Sequence, residues 1–320
     1  MPRVSVKACA RLHFGLMKAL PGKGVRFGSL GLAVKEPAWI LEADPSHELE
    51  VEGMQAERVR RVAAAFLDAS RLRGGARIRV RQAIPDHVGL GSGTQMSLSV
   101  AAVLSRLHDL PENVPGWCNL LARGRRSGIG AHAFRLGGFL LDVGHAEGRP
   151  SPPPLVFRQP FPEEWGIVAA IPREGRGVSG DDEERIFSEQ PDPSVALLEH
   201  LSGTILMRLL PALLERDLKT FGASLEEIQE GVGTVFQEAQ GGLYHPQAAP
   251  LVRWLRQAGA HGVGQSSWGP CVYALTPDQA SAQDLAERLL EGGPSSTDYD
   301  VRLLRPSNHG AEVDLKPCPQ

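Results

Sequence analysis

The first half of the chain alternates short apolar runs, which predict strands, with longer periodic segments, which predict helices. Residues 57–70 carry apolar side chains near a period of 3.6, which indicates a helix with one buried face. Residues 76–81 alternate strictly instead, so Ile78 and Val80 face one way and three arginines the other, as in a strand with one wet face. Further strands are predicted at 3–9, 29–34, 38–43 and 138–143, and a second helix at 94–107.

A proline-rich stretch divides the chain into two predicted domains. Six prolines lie between residues 148 and 162, which excludes a continuous helix or a central strand there. We therefore predict an N-terminal phosphate-binding domain over 1–150 and a C-terminal α+β domain over 151–320. Beyond the boundary, strands are predicted at 165–171 and 271–275, and helices at 195–215, 218–230 and 250–258.

Composition excludes several classes of partner. The formal net charge is -3 and the pI is near 6.4, so the chain has no basic field for nucleic acid or anionic lipid. The N-terminal residues do not read as a signal peptide, and no uninterrupted apolar stretch approaches the ~18 residues of a membrane span. The four cysteines are far apart and form no C-x-x-C pair. We expect a cytoplasmic protein with small-molecule substrates and without nucleic-acid or membrane partners; a homodimer is left open.

The most informative segment reads IPDHVGLGSGTQ and joins the arginine-faced strand to the second predicted helix. Its three glycines permit positive φ and carry no Cβ, so the backbone can wrap closely around a ligand. The helix directs its free N–H groups and its positive dipole end into this loop, which favours an anion. The alternative is a tight turn in which a serine or threonine only caps the helix. The candidate phosphate-binding residues are Gly89, Gly91, Ser92, Gly93, Thr94 and Gln95.

Four sequence blocks in this chain resemble those of a known family. Pro85 followed by GLGSG at 89–93 is similar to the phosphate-binding motif of the GHMP kinase superfamily. The blocks RLHFG at 11–15, RSGIG at 126–130 and GQSSWGP at 264–270 resemble signatures of its β-ribofuranosylaminobenzene 5'-phosphate synthase branch. The resemblance implies a two-domain α+β fold of the GHMP kinase type, with the ligand site between the domains.

The resemblance also implies an activity and a set of site residues. Enzymes of this branch condense phosphoribosyl pyrophosphate with 4-aminobenzoate or 4-hydroxybenzoate, with loss of pyrophosphate and CO2, during the synthesis of methanopterin-type carriers. Arg11, His13 and Arg26 become the catalytic candidates. Mg²⁺ on the pyrophosphate, held by Glu183 or Glu184, is a possible cofactor. The further substrate-binding candidates are Arg126, Ser127, Gln265, Ser266, Ser267 and Trp268.

Several of these candidates also have a purely structural interpretation. A tryptophan such as Trp268 is more often a core residue or a loop anchor than a stacking platform, and His13 is also typical of a buried residue that only completes a hydrogen bond. The run of arginines at 123, 125 and 126 is typical of a solvated surface. Ser179 with Asp182 fits a helix capping box, which is the alternative to a metal site in that segment.

One departure from the kinases of the superfamily bears on the reaction. In several of them an SGID block stands six residues before Gly-Gly, and its aspartate is the catalytic base, whereas Gly130 holds that position here. Phosphoryl transfer relies on a residue that orients or deprotonates the acceptor, so this glycine argues against kinase chemistry. An ATP-dependent kinase with Asp142 as a substitute base stays an alternative, as does a phosphosugar-binding protein without turnover.

Overall fold

The structure, a computed structural model, describes residues 3–18, 27–145, 149–173, 186, 192–294 and 298–316. Arg26 and the segment 179–184, for which roles were predicted, lie outside the described residues. The described strands, β1 to β11 in chain order, are Arg3–Lys18, Phe27–Ser46, Glu50–Gly53, Gly75–Gln82, Phe139–Asp142, Leu155–Gln159, Gly166–Pro172, His261–Gln265, Val272–Thr276, Tyr299–Leu304 and Glu312–Lys316. The described helices, α1 to α9, are Ala56–Ala69, Ser92–Leu107, Val114–Leu120, Ile129–Leu136, Val195–Thr204, Leu210–Glu215, Leu218–Gln240, Ala248–Gln257 and Gln279–Gly292.

The first sheet is built on the long antiparallel pair of β1 and β2. Its order is β11-β1-β2-β4-β3, with β5 paired to β2 and β6 paired to β5. The predicted strands at 29–34 and 38–43 are two parts of β2, which stays one strand across an irregularity opposite Cys9 and Ala10. Two strands of this sheet, β6 and β11, come from the part of the chain after residue 150. The domain boundary at residue 150 stays a prediction.

The predicted alternation in β4 is confirmed. Ile78 and Val80 are buried, while the arginines on the opposite face form ion pairs with carboxylates of β2 and β3. This face needs no apolar cover, because each guanidinium has a carboxylate beside it. The other face of the sheet packs against α2, which also contacts α1 and α4.

Helix α2 begins at Ser92, two residues before the predicted start. Gly91 is its N-cap residue with φ 77°, and the amide of Gln95 donates to the Gly91 carbonyl at 3.2 Å. The helix is buried on nearly every side, so the loop before it is anchored in the core. The pattern did not predict α3 or α4, because one contains Pro115 and Gly116 and both are too short to show a period.

The second sheet has the order β10-β7-β9-β8, and all its pairs are antiparallel. Helices α7, α8 and α9 contact its strands. Among the described residues, one helical stretch, Val195–Glu215, is long and apolar enough by length and composition to cross a membrane. It passes through a π-helical turn and buries Leu201, Leu209 and Leu213 in the main hydrophobic core. We therefore interpret it as a core helix of this fold.

Candidate active site

Glycine is required at two positions of the loop between β4 and α2. Gly89 and Gly91 have φ values of 89° and 77°, in the region that residues with a Cβ rarely adopt. A Cβ on Gly89 would overlap the carbonyl oxygen of Ser266, and a Cβ on Gly91 would lie 2.9 Å from Cγ of Arg11. The glycines therefore let the loop pack directly on β1 and on the segment after β8.

Three of the predicted blocks meet at this loop through direct hydrogen bonds. The Ser266 hydroxyl donates to the Gly89 carbonyl at 2.6 Å and accepts the backbone amide of His13 at 2.8 Å. The amide of Ser267 donates to the His13 carbonyl at 3.0 Å. The site thus lies where the first and second halves of the chain come together, as the family resemblance implied.

Arg11 crosses the loop from β1. Its guanidinium donates to the Gly89 carbonyl, and its backbone amide donates to the Leu90 carbonyl at 3.1 Å. Arg11, a predicted catalytic residue, therefore lies against the loop between β4 and α2, where its side chain braces the loop and adds positive charge to it. Its catalytic role stays a prediction.

Two arginines that the sequence did not single out as ligands converge at the start of α2. A Cβ on Gly93 would lie 3.2 Å from Nη2 of Arg58 and 3.6 Å from Nη1 of Arg123. Arg58 forms an ion pair with Asp86, and Arg123 donates from Nε to Ser97 Oγ at 3.0 Å. Burial lowers the pKa of Arg123, and the charge of the nearby Arg58 lowers it further. Arg58 lies on α1, so no local motif in the sequence marks it.

Two predicted phosphate donors are already engaged with the protein. The Ser92 hydroxyl donates within the loop, with Ile84 O at 2.8 Å and Asp86 Oδ1 at 2.6 Å. The Gln95 amide donates to the Gly130 carbonyl at 2.7 Å and so ties α2 to α4. These hydrogen bonds fix the shape of the loop and its contact with α4. The predicted role of the two side chains as ligands stays a prediction.

The segment after β8 contributes mainly structural contacts. The side-chain amide of Gln265 donates to Gln240 Oε1 at 3.0 Å and to Ser267 O at 3.1 Å, and its oxygen accepts from His245 N at 2.7 Å. Trp268 is buried and packs edge-on against Phe236 with ring centroids 5.1 Å apart. The proposed substrate contacts of these two side chains stay predictions, as does that of Arg126, which lies partly exposed in the turn before α4.

A hydrogen-bonded chain lies beside the loop, and three of its members, His13, Ser29 and Asp142, are buried while Ser127 is half-buried. His13 Nε2 is 3.0 Å from Ser127 Oγ, which is 2.8 Å from Ser29 Oγ, which is 2.6 Å from Asp142 Oδ2. The amide of Gly128 also donates to Asp142 Oδ2, at 2.8 Å. Burial raises the pKa of Asp142 to about 6, against the lowering effect of these hydrogen bonds. Burial, with a smaller effect of Arg11, holds the pKa of His13 well below its usual range.

Gly130, which stands where several kinases of the superfamily have their catalytic aspartate, packs closely against Thr94 of α2. A Cβ on Gly130 would lie 3.0 Å from Cγ2 of Thr94 and 3.2 Å from its Cβ, so the Thr94 side chain would have to shift by a few tenths of an ångström to admit a larger residue. Asp142, the substitute base considered from the sequence, is fully buried beneath Ser29 and Gly128. Neither position presents an exposed carboxylate to a phosphoryl acceptor.

No metal site is formed by the protein alone within the described ranges. There, no three histidine, cysteine, aspartate or glutamate residues come together in a way that would hold a metal ion. Asp86, a carboxylate beside the loop, accepts from Arg58 and Ser92. The described carboxylates therefore do not test the predicted Mg²⁺ site, whose candidates Glu183 and Glu184 lie outside the described residues.

Models of two families match the chain. The GHMP kinases N terminal domain matches residues 57–138, and the GHMP kinases C terminal domain matches residues 209–295. Among solved structures, homoserine kinase from Cytophaga hutchinsonii is 19% identical, with a TM-score of 0.72 over 98% of this chain and 97% of that one. A 4-(cytidine 5'-diphospho)-2C-methyl-D-erythritol kinase is 19% identical, with a TM-score of 0.61 over 95% of this chain and 100% of that one. These similarities confirm the predicted fold.

Curated relatives match more closely in sequence. A β-ribofuranosylphenol 5'-phosphate synthase from Methanothermobacter thermautotrophicus is 35% identical over 291 residues, which is 84% of this chain and 88% of the relative. The enzyme of the same name from Archaeoglobus fulgidus is 32% identical over 319 residues, 96% of this chain and 98% of the relative. The family predicted from the four blocks is thereby confirmed, and the chain belongs to the β-ribofuranosylphenol 5'-phosphate synthases of the GHMP kinase superfamily.

Proposed function

We propose that this chain is a decarboxylating phosphoribosyltransferase that condenses phosphoribosyl pyrophosphate with 4-hydroxybenzoate, releasing pyrophosphate and CO2, in the synthesis of methanopterin-type carriers. The sequence left 4-aminobenzoate and 4-hydroxybenzoate open as acceptors. The hydroxy acceptor is favoured because the relatives are named for a phenol product, which arises when the ring carbon exchanges its carboxylate for ribose. The observation that carries the proposal is this match over most of both chains.

The loop geometry supports a diphosphate as the anion bound at α2. The first amides of a helix and its positive dipole end favour negative charge. Arg58 and Arg123 converge at Gly93, the second residue of the helix, and Arg11 crosses the loop at Gly91. Guanidinium groups bind phosphate oxygens through two parallel donors, so three of them suit a leaving group that carries several negative charges.

The reaction needs charge stabilisation and alignment more than a strong base. When the C1–O bond of the donor breaks, the sugar becomes positive and pyrophosphate leaves with the electron pair. The ring carbon that bears the carboxylate attacks C1, and loss of CO2 then restores aromaticity. Holding two anionic substrates in line is a task in which orientation supplies roughly 7–11 kcal/mol in favourable systems. Gly130, in place of a kinase aspartate, is consistent with this chemistry.

A divalent cation is part of the proposal as a partner of the diphosphate. Mg²⁺ prefers phosphate oxygens, water and one or two carboxylates, and would neutralise charge on the leaving group. On the protein side, Arg58 and Arg123 supply fixed positive charge at the same place. Glu183 and Glu184 stay predicted ligands outside the described residues.

Release of labelled CO2 from carboxyl-labelled benzoates tests the proposal. Purified protein is incubated with phosphoribosyl pyrophosphate and either 4-hydroxybenzoate or 4-aminobenzoate, with and without Mg²⁺, and label and pyrophosphate are both counted. We expect equal amounts of CO2 and pyrophosphate, with 4-hydroxybenzoate the better acceptor. Absence of release with both acceptors, or ADP formation from ATP with a small-molecule alcohol, would overturn the proposal in favour of the kinase alternative.

A further inference from the structure

The hydrogen atoms available in the chain from His13 to Asp142 determine which group donates in each of its hydrogen bonds. Ser29 has one hydroxyl hydrogen but two close oxygen neighbours, Asp142 Oδ2 at 2.6 Å and Ser127 Oγ at 2.8 Å. An ionised carboxylate only accepts, so the Ser29 hydrogen points to Asp142. Ser127 must then donate to Ser29, and His13 Nε2–H must donate to Ser127. In this state the Nδ1 atom of His13 carries a bare lone pair.

Nδ1 of His13 is the open end of this chain. His13 is 5% exposed, and its Nδ1 is buried without a hydrogen-bond partner within the described part of the chain. Buried imidazole nitrogens without a partner are costly, and such an atom in a site is typical of one that meets a ligand. The backbone of His13 is fixed by Ser266 and Ser267, so the ring is held beside the phosphate loop.

Protonation of Asp142 reverses every bond in the chain. If Oδ2 carries a hydrogen, it donates to Ser29, Ser29 donates to Ser127, and Ser127 donates to His13 Nε2. The hydrogen of the imidazole then stands on Nδ1. The two states differ by one proton, which enters at His13 Nδ1 and is stored on Asp142, while the imidazole stays neutral in both.

On the basis of the proposed function, we infer that Asp142, Ser29, Ser127 and His13 form a proton relay for the 4-hydroxyl group of the benzoate acceptor. His13 is the member that touches the substrate, through Nδ1. Ser127, Ser29 and Asp142 are positioning residues that act through it.

The relay completes the proton balance of the reaction. As the ring carbon bonds to C1 and pyrophosphate leaves, the 4-hydroxyl becomes a carbonyl and its proton passes to His13 Nδ1. Nε2–H moves to Ser127, Ser127 passes its hydrogen to Ser29, and Ser29 to Asp142. When the bond to CO2 breaks, its electron pair restores the aromatic ring, the carbonyl oxygen takes back a proton from Nδ1, and the chain returns to its first state.

The electrostatics of the two ends suit this direction of transfer. Burial and the neighbouring Arg11 keep the pKa of His13 low, so the imidazole passes the proton on. Asp142 has a raised pKa of about 6 because of burial, so it accepts a proton near neutral pH and releases it again. A carboxylate with an ordinary pKa would accept the proton less readily at neutral pH.

The relay is tested with Asp142→Asn, Ser29→Ala, Ser127→Ala and the Ser29→Ala/Ser127→Ala double variant. Ser224→Ala is the matched control, because Ser224 is fully buried like Ser29 but donates only to Thr220 O within α7. We expect each relay variant to lower kcat with 4-hydroxybenzoate by about 10²-fold, within the usual range for positioned proton transfer, with KM for phosphoribosyl pyrophosphate unchanged. The double variant should be no slower than either single, because one broken link stops the relay.

A more acidic acceptor supplies the second readout. With 3-fluoro-4-hydroxybenzoate, whose phenol ionises more readily, the ratio of wild-type to variant kcat should fall toward one. The relay would be overturned if the losses of kcat added up in the double variant, or if the variants raised KM for phosphoribosyl pyrophosphate and left kcat unchanged. An equal loss of kcat with 4-hydroxybenzoate and its 3-fluoro derivative would also overturn it. Failure of the wild-type protein to release CO2 from any benzoate would instead overturn the proposed function, and the two failures are therefore distinguishable.

Discussion

The Ser266 hydroxyl donates to the Gly89 carbonyl at 2.6 Å and so joins two segments that are 177 residues apart in the chain. The same hydroxyl accepts the amide of His13. One buried side chain therefore sets the positions of β1 and of the loop between β4 and α2 together. The loop gains its shape from the second half of the chain as much as from its own glycines.

Ser266→Ala should loosen the loop and weaken donor binding. The variant leaves the buried His13 amide without its acceptor and removes a donor from the Gly89 carbonyl, which costs about 1–3 kcal/mol. We expect a lower free energy of unfolding in urea and a higher KM for phosphoribosyl pyrophosphate. Ser224→Ala, the same change at another buried serine, should leave KM unaltered. Equal effects of the two variants on KM would show that Ser266 does not shape the site.

Gly89→Ala should abolish activity, whereas Gly259→Ala should be tolerated. Both glycines have φ near 90°, so both variants carry the backbone cost of about 1–2 kcal/mol. A Cβ at Gly259 meets nothing within 4 Å, but at Gly89 it overlaps Ser266 O. Thermal unfolding and CO2 release measured on both variants separate the backbone cost, which both share, from the steric overlap, which only Gly89→Ala has. Similar melting temperatures for the pair would contradict the close packing at Gly89.

Arg123→Gln should weaken binding of the donor, whereas Arg125→Gln should not. Arg123 approaches Gly93 at the start of α2, and Arg125, two residues on, is exposed. Loss of a charged hydrogen bond costs roughly 1.5–3 kcal/mol, which corresponds to about a 10–100-fold rise in Kd. Titration calorimetry with pyrophosphate measures this directly. Equal affinities in both variants would place the diphosphate elsewhere.

The stability of the protein should depend on the ionisation of Asp142. Its pKa rises from an ordinary 3.8 to about 6 on folding, because burial disfavours the charged form. The folded protein therefore binds more protons between these values, and its free energy of unfolding falls as pH rises through that window, by roughly 3 kcal/mol in total. Asp142→Asn removes this dependence. We expect urea unfolding from pH 4 to 7 to show that the free energy of unfolding of the variant increases relative to that of the wild type as the pH rises. A difference between the two proteins that does not change with pH would contradict the raised pKa of Asp142.

The sequence predicted those parts of the site that depend on neighbouring residues in the chain. The GLGSG loop, the helix after it and the alternation in β4 are local patterns, and each is observed. The family followed from four blocks in order. Helices α3 and α4 are too short for periodicity to reveal, and β2 was divided because its pattern breaks at an irregularity.

Features that arise only from tertiary packing could not be predicted from the sequence. Arg58 lies on α1 and reaches Gly93 only because α1 packs on α2. Ser29 meets its hydrogen-bond partners only in the folded chain, since the turn before α4 supplies Ser127 and β5 ends at Asp142. Ser266 and Gln265 were predicted as ligands from the family resemblance of the block at 264–270. In the structure their side chains hold neighbouring segments together, which only the tertiary contacts reveal, and their role as ligands stays a prediction.

Hydrogen–deuterium exchange with and without phosphoribosyl pyrophosphate tests the central claim most directly, because the claim concerns backbone amides. We expect the amides from Gly89 to Gln95 to exchange more slowly when the donor is present, and the protection to be reduced in Arg123→Gln. Protection confined to other segments, with unchanged exchange from Gly89 to Gln95, would contradict the assignment of the diphosphate to this loop.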